Sequence, residues 1–199
     1  MNSVVDLVFP LSGSALHADY ALPLWRALRA LLPWLAEEED AAILPLKGTT
    51  VGAGQILVGK RSQLTLRLPQ ARVDAAAALA GVSLDVDAEL RLGQPSVREL
   101  RPTSAQYSPL VVLAGADEPA FLAACAGELE ALAVRANLVC GRAQRCLGED
   151  GELHGYSLML HGLSEAHALL LQQRGMGAGR KLGCGNFVPH KTAHAVGAV

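Results

Sequence analysis

One order of hydrophobic patterns occurs twice along this chain, and it limits the folds available to it. Val4–Phe9 is a short apolar, β-branched run closed by Pro10, which predicts a strand. Asp19 stands where a helix cap belongs, and Leu24, Leu28, Leu31 and Leu35 follow near helical spacing. A helix is therefore predicted from Tyr20 to Leu35, with Pro23 in its first turn. Ile43–Leu46 and Gln55–Val58 read as short strands joined by G-T-T-V-G-A-G, and Gln63–Leu68 alternates as a half-buried strand does. Gln70–Ala80 is an alanine-rich helix closed by Gly81, and Val82–Val86 and Glu89–Leu92 are strands around a D-V-D-A turn. Pro102–Pro109 reads as a linker, after which the order begins again. Leu110–Ala114 is a strand, Asp117–Ala133 a helix capped by Asp117, and Asn137–Gly141 and Gly155–His161 are strands. Ser164–Arg174 is a helix with a capping hydroxyl, and Cys184–Val188 is the last strand. Each half is thus strand, helix, two strands, helix, strand, the split βαβ order. The expectation is an α+β chain of two tandem ferredoxin-like (RRM-like) domains, 1–104 and 105–199.

Composition narrows the class. A chain of 199 residues allows one ordinary domain or two small ones. It is 51% apolar but only 4% aromatic, so Ala, Leu and Val must fill the core. The start is not a basic, apolar leader, since Asp6 already falls within the first seven residues. No apolar run approaches the roughly 18 residues of a membrane span. A soluble, cytoplasmic protein with no membrane partner is expected. The cysteines are Cys125, Cys140, Cys146 and Cys184, and none forms a C-x-x-C pair. Reduced structural or incidental thiols are expected, with no metal and no cofactor. The net charge of -2 argues against a generally basic nucleic-acid binder. Its distribution is uneven. Ala41 to Val73 carries Lys47, Lys60, Arg61, Arg67 and Arg72 and no acid, and Leu171 to the end carries four cations and no acid. One positive face and a mixed solvated surface both fit that pattern.

The densest local signal is R-G-M-G-A-G-R-K-L-G-C-G-N-F-V-P-H-K, Arg174 to Lys191. Glycine is costly to order, so a run this dense needs a reason. A dinucleotide G-x-G-x-x-G or a Walker loop begun at Gly175 needs a glycine where Arg180 stands, and each needs a strand before and a helix after. Gln172-x-x-Gly175-x-Gly177 fits a short acyl-coenzyme A pattern, again without the following helix that would hold a pyrophosphate. The bland reading is a flexible hairpin between a helix and an edge strand. Only G-x-G-x(5)-G-x-G, from Gly175 to Gly185, fits the full spacing.

That loop, followed by N-F-V-P and Lys191, resembles the glycine-rich loop of the CRISPR-associated endoribonucleases that process precursor CRISPR RNA. V-F-P-L-S-G-S-A-L-H-A-D-Y-A-L-P-L-W-R-A-L and L-D-V-D-A-E-L-R-L-G-Q-P-S-V-R-E-L-R-P resemble the family's compact MYXAN-type subgroup. The resemblance implies metal-independent cleavage of a CRISPR repeat stem-loop. A ribose 2′-hydroxyl attacks the adjacent phosphate, leaving 2′,3′-cyclic phosphate and 5′-hydroxyl ends. It also implies that the product is kept, within a larger effector complex. Such chemistry needs an acid and a base, and histidine can serve as either.

The subgroup's opening motif is L-P-x-D-H, with the histidine catalytic. Here the stretch is Leu16-His17-Ala18-Asp19-Tyr20. The candidate catalytic residues are therefore the displaced His17 and Tyr20, which replaces the expected histidine. The alternative is a non-catalytic subunit that binds the hairpin. Candidate RNA-binding residues are Lys60, Arg61, Arg174, Gly175, Gly177, Arg180, Lys181, Gly183, Gly185 and Lys191. In the loop, glycine would let backbone amides approach phosphates, and the cations would add charge-assisted contacts. Phe187 offers either a stacking ring or a core residue.

Overall fold

The computed structural model describes residues 3–46, 49–51, 54–115 and 117–191. Among them no helix is long and apolar enough to cross a membrane. Lys47 and part of the G-T-T-V-G-A-G stretch lie outside the described residues. Contacts divide the chain into two units. The first takes the chain up to Leu100 together with Cys146–Leu153 and Gly179–Cys184; the second takes Arg101–Arg145, His154–Ala178 and the chain from Gly185 on. The glycine segment is thus divided between the units rather than lying in one half.

The first unit opens with β1 (Val4–Gly13), β2 (Ala15–His17) and α1 (Ala21–Leu31). A 3-10 turn (Pro33–Ala36) leads to β3 (Ala42–Ile43), β4 (Thr49–Val51), β5 (Gln55–Leu57) and β6 (Gln63–Pro69). A second 3-10 turn (Gln70–Arg72) runs into α2 (Val73–Ala77), then β7 (Ser83–Asp85), β8 (Glu89–Leu92) and β9 (Ser96–Glu99). The main sheet has the order β3-β6-β1-β8-β7, with β9 also on β1, and β2-β5-β4 form a separate sheet. Val5, Leu7, Phe9 and Leu11 alternate along β1 into one core with Leu24, Leu28 and Leu35.

Pro10 does not end the first strand. It pairs with Gln63 on β6 and accepts a hydrogen bond from the Gly93 N–H at 2.8 Å. The N–H and C=O of a strand residue point to the same edge, so proline's missing donor faces the gap where β8 gives way to β9, and no ladder bond is lost. The helix expected over Tyr20–Leu35 is split. Pro33 stops α1 at Leu31, which is exposed, and Leu35 is buried from the 3-10 turn instead. Asp19 is not its cap: Tyr20 is, without a side-chain bond. The Gln70–Ala80 helix is reduced to α2 and its flanking turns.

The second unit contains β10 (Ala105–Val111), α3 (Glu118–Ala131), most of β11 (Asn137–Gly148) and β12 (Gly151–His161), whose Cys146–Leu153 ends belong to the first unit, α4 (Glu165–Arg174) and β13 (Val188–Pro189). Its sheet has the order β11-β12-β10-β13. Pro102–Pro109 is not a linker, because β10 begins at Ala105. The pairing of β10 with β12 shifts register between Ser108 and Val111, and this irregularity houses Pro109. Both helix caps form as the sequence suggests. Asp117 Oδ1 accepts from the Ala120 N–H at 2.9 Å, and Ser164 Oγ from the His167 N–H at 3.2 Å. Phe121, Cys125 and Leu129 line one face of α3 and meet Leu158, Leu160, Leu171 and Phe187 in a second core. Phe187 is wholly buried there and is not a stacking ring.

In the second unit the strand after the first helix lies at one edge, and next come the strand that follows it, then the first strand, then the last. In the first unit β6 rather than the next strand, β4, lies between β3 and β1, because β4 and β5 leave the main sheet to pair with β2. The chain is a mixed α/β fold.

Candidate functional site

His17, Ala18, Asp19 and Tyr20 form a tight turn between β2 and α1, closed by the Tyr20 N–H donating to the His17 carbonyl at 3.2 Å. β2 is fixed from the side by β5, with His17 opposite Gln55. The Asp19 N–H donates to His17 Nδ1 at 3.2 Å, and Asp19 Oδ2 lies 3.6 Å from the same nitrogen. A ring that accepts a hydrogen bond at Nδ1 carries its proton at Nε2 when neutral. The His17 side chain is 57% exposed, so the ring can present an Nε2–H to a ligand.

Tyr20 faces the other way. Its ring packs on the first core, and its phenol oxygen accepts the Leu46 N–H at 2.8 Å. Burial pushes the phenol up to about 12, against the smaller opposing effect of the Leu46 bond. A phenol held this way ties the end of the β3 segment to the start of α1 and is a poor base.

The cations separate by role. Lys60 and Arg61 are exposed at the apex of a turn closed by the Ser62 N–H donating to the Gly59 carbonyl at 2.9 Å. Arg174, at the end of α4, and Lys191 are exposed as well. Arg67 and Arg72 are spent internally. Arg67 is 1% exposed and grips Asp6 at 2.7 and 3.0 Å, and Arg72 holds Glu38 at 2.8 Å and lies over Trp34. The acid-free stretch is therefore not a continuous positive face, because two of its five cations are neutralised by Asp6 and Glu38. Lys181 Nζ donates to the carbonyl oxygens of Glu38 and Ala41, and Arg180 Nη1 to that of Glu39. Burial, with Arg180 next to it, lowers the Lys181 ammonium to about 8. Lys181 thus holds the loop to the β3 approach.

The glycines have a structural reason. Gly175, Gly177, Gly179, Gly183 and Gly185 have φ of 68°, 72°, 82°, 88° and 64°, the left-handed region. A Cβ on Gly177 would overlap the Val112 carbonyl, and one on Gly185 the Met176 carbonyl. Loop amides are used within the protein: Met176 N–H donates to Gly185 O, Ala178 N–H to Val112 O, Cys184 N–H to Gly179 O and Gly185 N–H to Leu110 O. The segment follows a helix C-terminus and leads into only a short 3-10 turn (Arg180–Leu182), so it offers no helix N-terminus to a pyrophosphate. Gln172 of the acyl-coenzyme A pattern is buried and donates to the Arg101 carbonyl at 2.7 Å.

The model of the family described as Cas6 Crispr matches residues 5–192. The chain belongs to the Cas6 family. It is 37% identical over 187 residues to the CRISPR-associated endonuclease Cas6 of Myxococcus xanthus (strain DK1622), covering 93% of this chain and 81% of that protein. Solved structures share the fold. A CRISPR-associated protein Cas6 superposes with a TM-score of 0.67 at 10% identity, covering 95% of this chain and 100% of the other. Thermus thermophilus Cse3, bound to an RNA representing a pre-cleavage complex, does so with 0.54 at 17% identity, covering 93% and 98%.

Within this Cas6-family chain the units hold different candidates. His17, Tyr20, Lys60, Arg61, Arg180, Lys181 and Gly183 fall in the first unit, and Arg174, Gly175, Gly177, Gly185 and Lys191 in the second. Sequence reasoning missed the small sheet that sets His17. It also missed that the thiols of Cys146 and Cys184 both lie close enough to Tyr20 to raise its phenol further. Cys184, seated between two loop glycines, was the one available signal.

Proposed function

We propose that this chain is a metal-independent endoribonuclease that binds a CRISPR repeat hairpin and cleaves it to mature crRNA. In this reading two tandem ferredoxin-like domains, 1–104 and 105–199, carry the site. A ribose 2′-hydroxyl attacks the neighbouring phosphate, and the products end in a 2′,3′-cyclic phosphate and a 5′-hydroxyl. The product stays bound, and the chain serves in an effector complex. Family membership and the Myxococcus xanthus relative named as an endonuclease support the activity; the Cse3 structure with RNA supports the ligand class.

The observation that carries the chemistry is the exposed His17 ring, its Nδ1 engaged by the Asp19 N–H. As a neutral ring it can hydrogen-bond a phosphoryl oxygen through Nε2–H, and as an imidazolium it can give the Nε2 proton to the leaving oxygen, its Nδ1–H then facing Asp19 Oδ2 at 3.6 Å. Lys60, Arg61, Arg174 and Lys191 supply exposed charge for the RNA backbone. The glycine loop is read as scaffold, with Arg180 and Lys181 anchoring it.

A second reading rests on Tyr20. The subgroup pattern puts the catalytic histidine there, and here the position holds a buried neutral phenol. On that reading the chain binds the hairpin without cutting it. Incubating the protein with a labelled cognate repeat hairpin separates the two. Cleavage with a retained product supports the nuclease, whereas tight binding of intact RNA over many hours supports the binding subunit.

A further inference from the structure

The small sheet of the first unit has two unlike faces. Leu16 is buried in the first core, and Ile56 is its direct partner on β5. Side chains alternate along a strand, so Ala15, His17, Gln55 and Leu57 belong to the opposite face. Val51 pairs with Gln55 and shares that face. The face is open to solvent: the His17 side chain is 57% exposed, Gln55 is exposed, and Leu57 is 47% exposed. Among its described residues there is no carboxylate.

Register brings Gln55 to His17, because the two are direct partners across β2 and β5. The Ala18 N–H donates to the Gly54 carbonyl at 2.7 Å, and the Val58 N–H to the Ser14 carbonyl at 3.3 Å. Bonded and non-bonded pairs alternate along an antiparallel ladder, so His17 and Gln55, one step from Ala18 and Gly54, are a non-hydrogen-bonded pair. Such partners hold their side chains closest, with Cβ atoms about 4.5–5.5 Å apart. Asp19 engages the ring at Nδ1 from the turn, and Gln55 stands beside it on the sheet. The carboxamide carries two N–H donors at its tip, within reach of a group that also meets His17 Nε2.

We propose that Gln55 is a second catalytic residue of the His17 site, donating a side-chain N–H to a non-bridging oxygen of the scissile phosphate. This rests on the reading of the chain as an RNA-cleaving enzyme and names the group that meets the charge on that phosphate. In the step, the ribose 2′-oxygen bonds to phosphorus and its proton passes to water. The bond from phosphorus to the 5′-oxygen breaks with its electron pair, and that oxygen takes the Nε2 proton of the His17 imidazolium. Negative charge on the non-bridging oxygens is greatest in the pentacoordinate transition state, so a donor fixed on a strand stabilises that state more than the ground state. From Gln55 the chain leads through β5 to the exposed Lys60–Arg61 turn. An RNA backbone laid along β5 thus passes from the reacting phosphate to cations.

The test is single-turnover cleavage of a labelled repeat hairpin by the full chain at saturating protein, comparing wild type, Gln55→Ala and Gln55→Glu, with RNA affinity measured separately. Both variants are expected to react about 10²–10³-fold more slowly, with affinity retained in Gln55→Ala and the melting temperature unchanged. Sulfur in place of one of the two non-bridging oxygens should slow wild type and leave Gln55→Ala no slower than on the oxygen substrate, a response that altered strand packing would not produce. Wild-type cleavage matched by Gln55→Ala, or a loss confined to affinity, would overturn the role of Gln55 and leave the nuclease reading standing. Tight binding with no cleavage by wild type would overturn both.

Discussion

Tyr20 shows how one residue's setting decides its chemistry. Burial disfavours the phenolate, so folding stabilises the neutral form. The folded phenol ionises later than the unfolded one. Its contribution to stability is intact below pH 10 and is lost as the pH rises from 10 towards about 12. In an alkaline titration followed by phenolate absorbance, the difference between wild type and Tyr20→Phe should emerge only near 12 or together with unfolding. A Tyr20 signal titrating near 10 would mean a solvated phenol. None of this was legible in the sequence. The partner that fixes the ring, the Leu46 N–H, belongs to a distant segment. The exposure of His17 was easier to anticipate, since it sits among Ser, Ala and Asp ahead of the first helix. Its fixing by Asp19 was not, because Asp19 had the look of a helix cap.

At the scale of elements, β1 and β6 join Asp6 to Arg67 as direct cross-strand partners. Removing the acid by Asp6→Ala takes the carboxylate from a buried guanidinium and is expected to cost about 3–5 kcal/mol in urea unfolding. Arg98→Ala on the exposed β9 should change stability little. The alternation of Gln63–Leu68 predicted the strand but could not reveal that pairing, because register is a long-range property. Pro10 and Pro109 misled in the same way. Each was read as a boundary, and each sits where the ladder is interrupted. The glycine loop makes a separate prediction. Gly177→Ala forces a side chain into φ of 72° against Val112 and should destabilise by about 1–3 kcal/mol, seen as a lower melting temperature. RNA affinity measured well below melting should be kept. Lost affinity in a fully folded Gly177→Ala protein would return the loop to the RNA interface.

Over the whole molecule, the mixed α/β character was the legible part, because local periodicity and capping residues carry it. Asp117 and Ser164 cap the helices they were expected to cap. The charge pattern was less informative. Arg67, Arg72, Arg180 and Lys181 make internal bonds, which leaves Lys60, Arg61, Arg174 and Lys191 as the exposed cations among those singled out. If these neutralise RNA phosphates, Lys60→Ala should weaken hairpin binding and lower the slope of log affinity against log salt by about 1, whereas a change in affinity with no change in slope would argue against a phosphate contact. The role of His17 is read by single-turnover cleavage of a labelled repeat hairpin in chelator, comparing wild type with His17→Ala and analysing the product's 3′ end. Wild type is expected to leave a 2′,3′-cyclic phosphate and His17→Ala to react about 10²–10⁴-fold more slowly with RNA affinity retained; equal rates for the two proteins would rule out His17 as the acid or base.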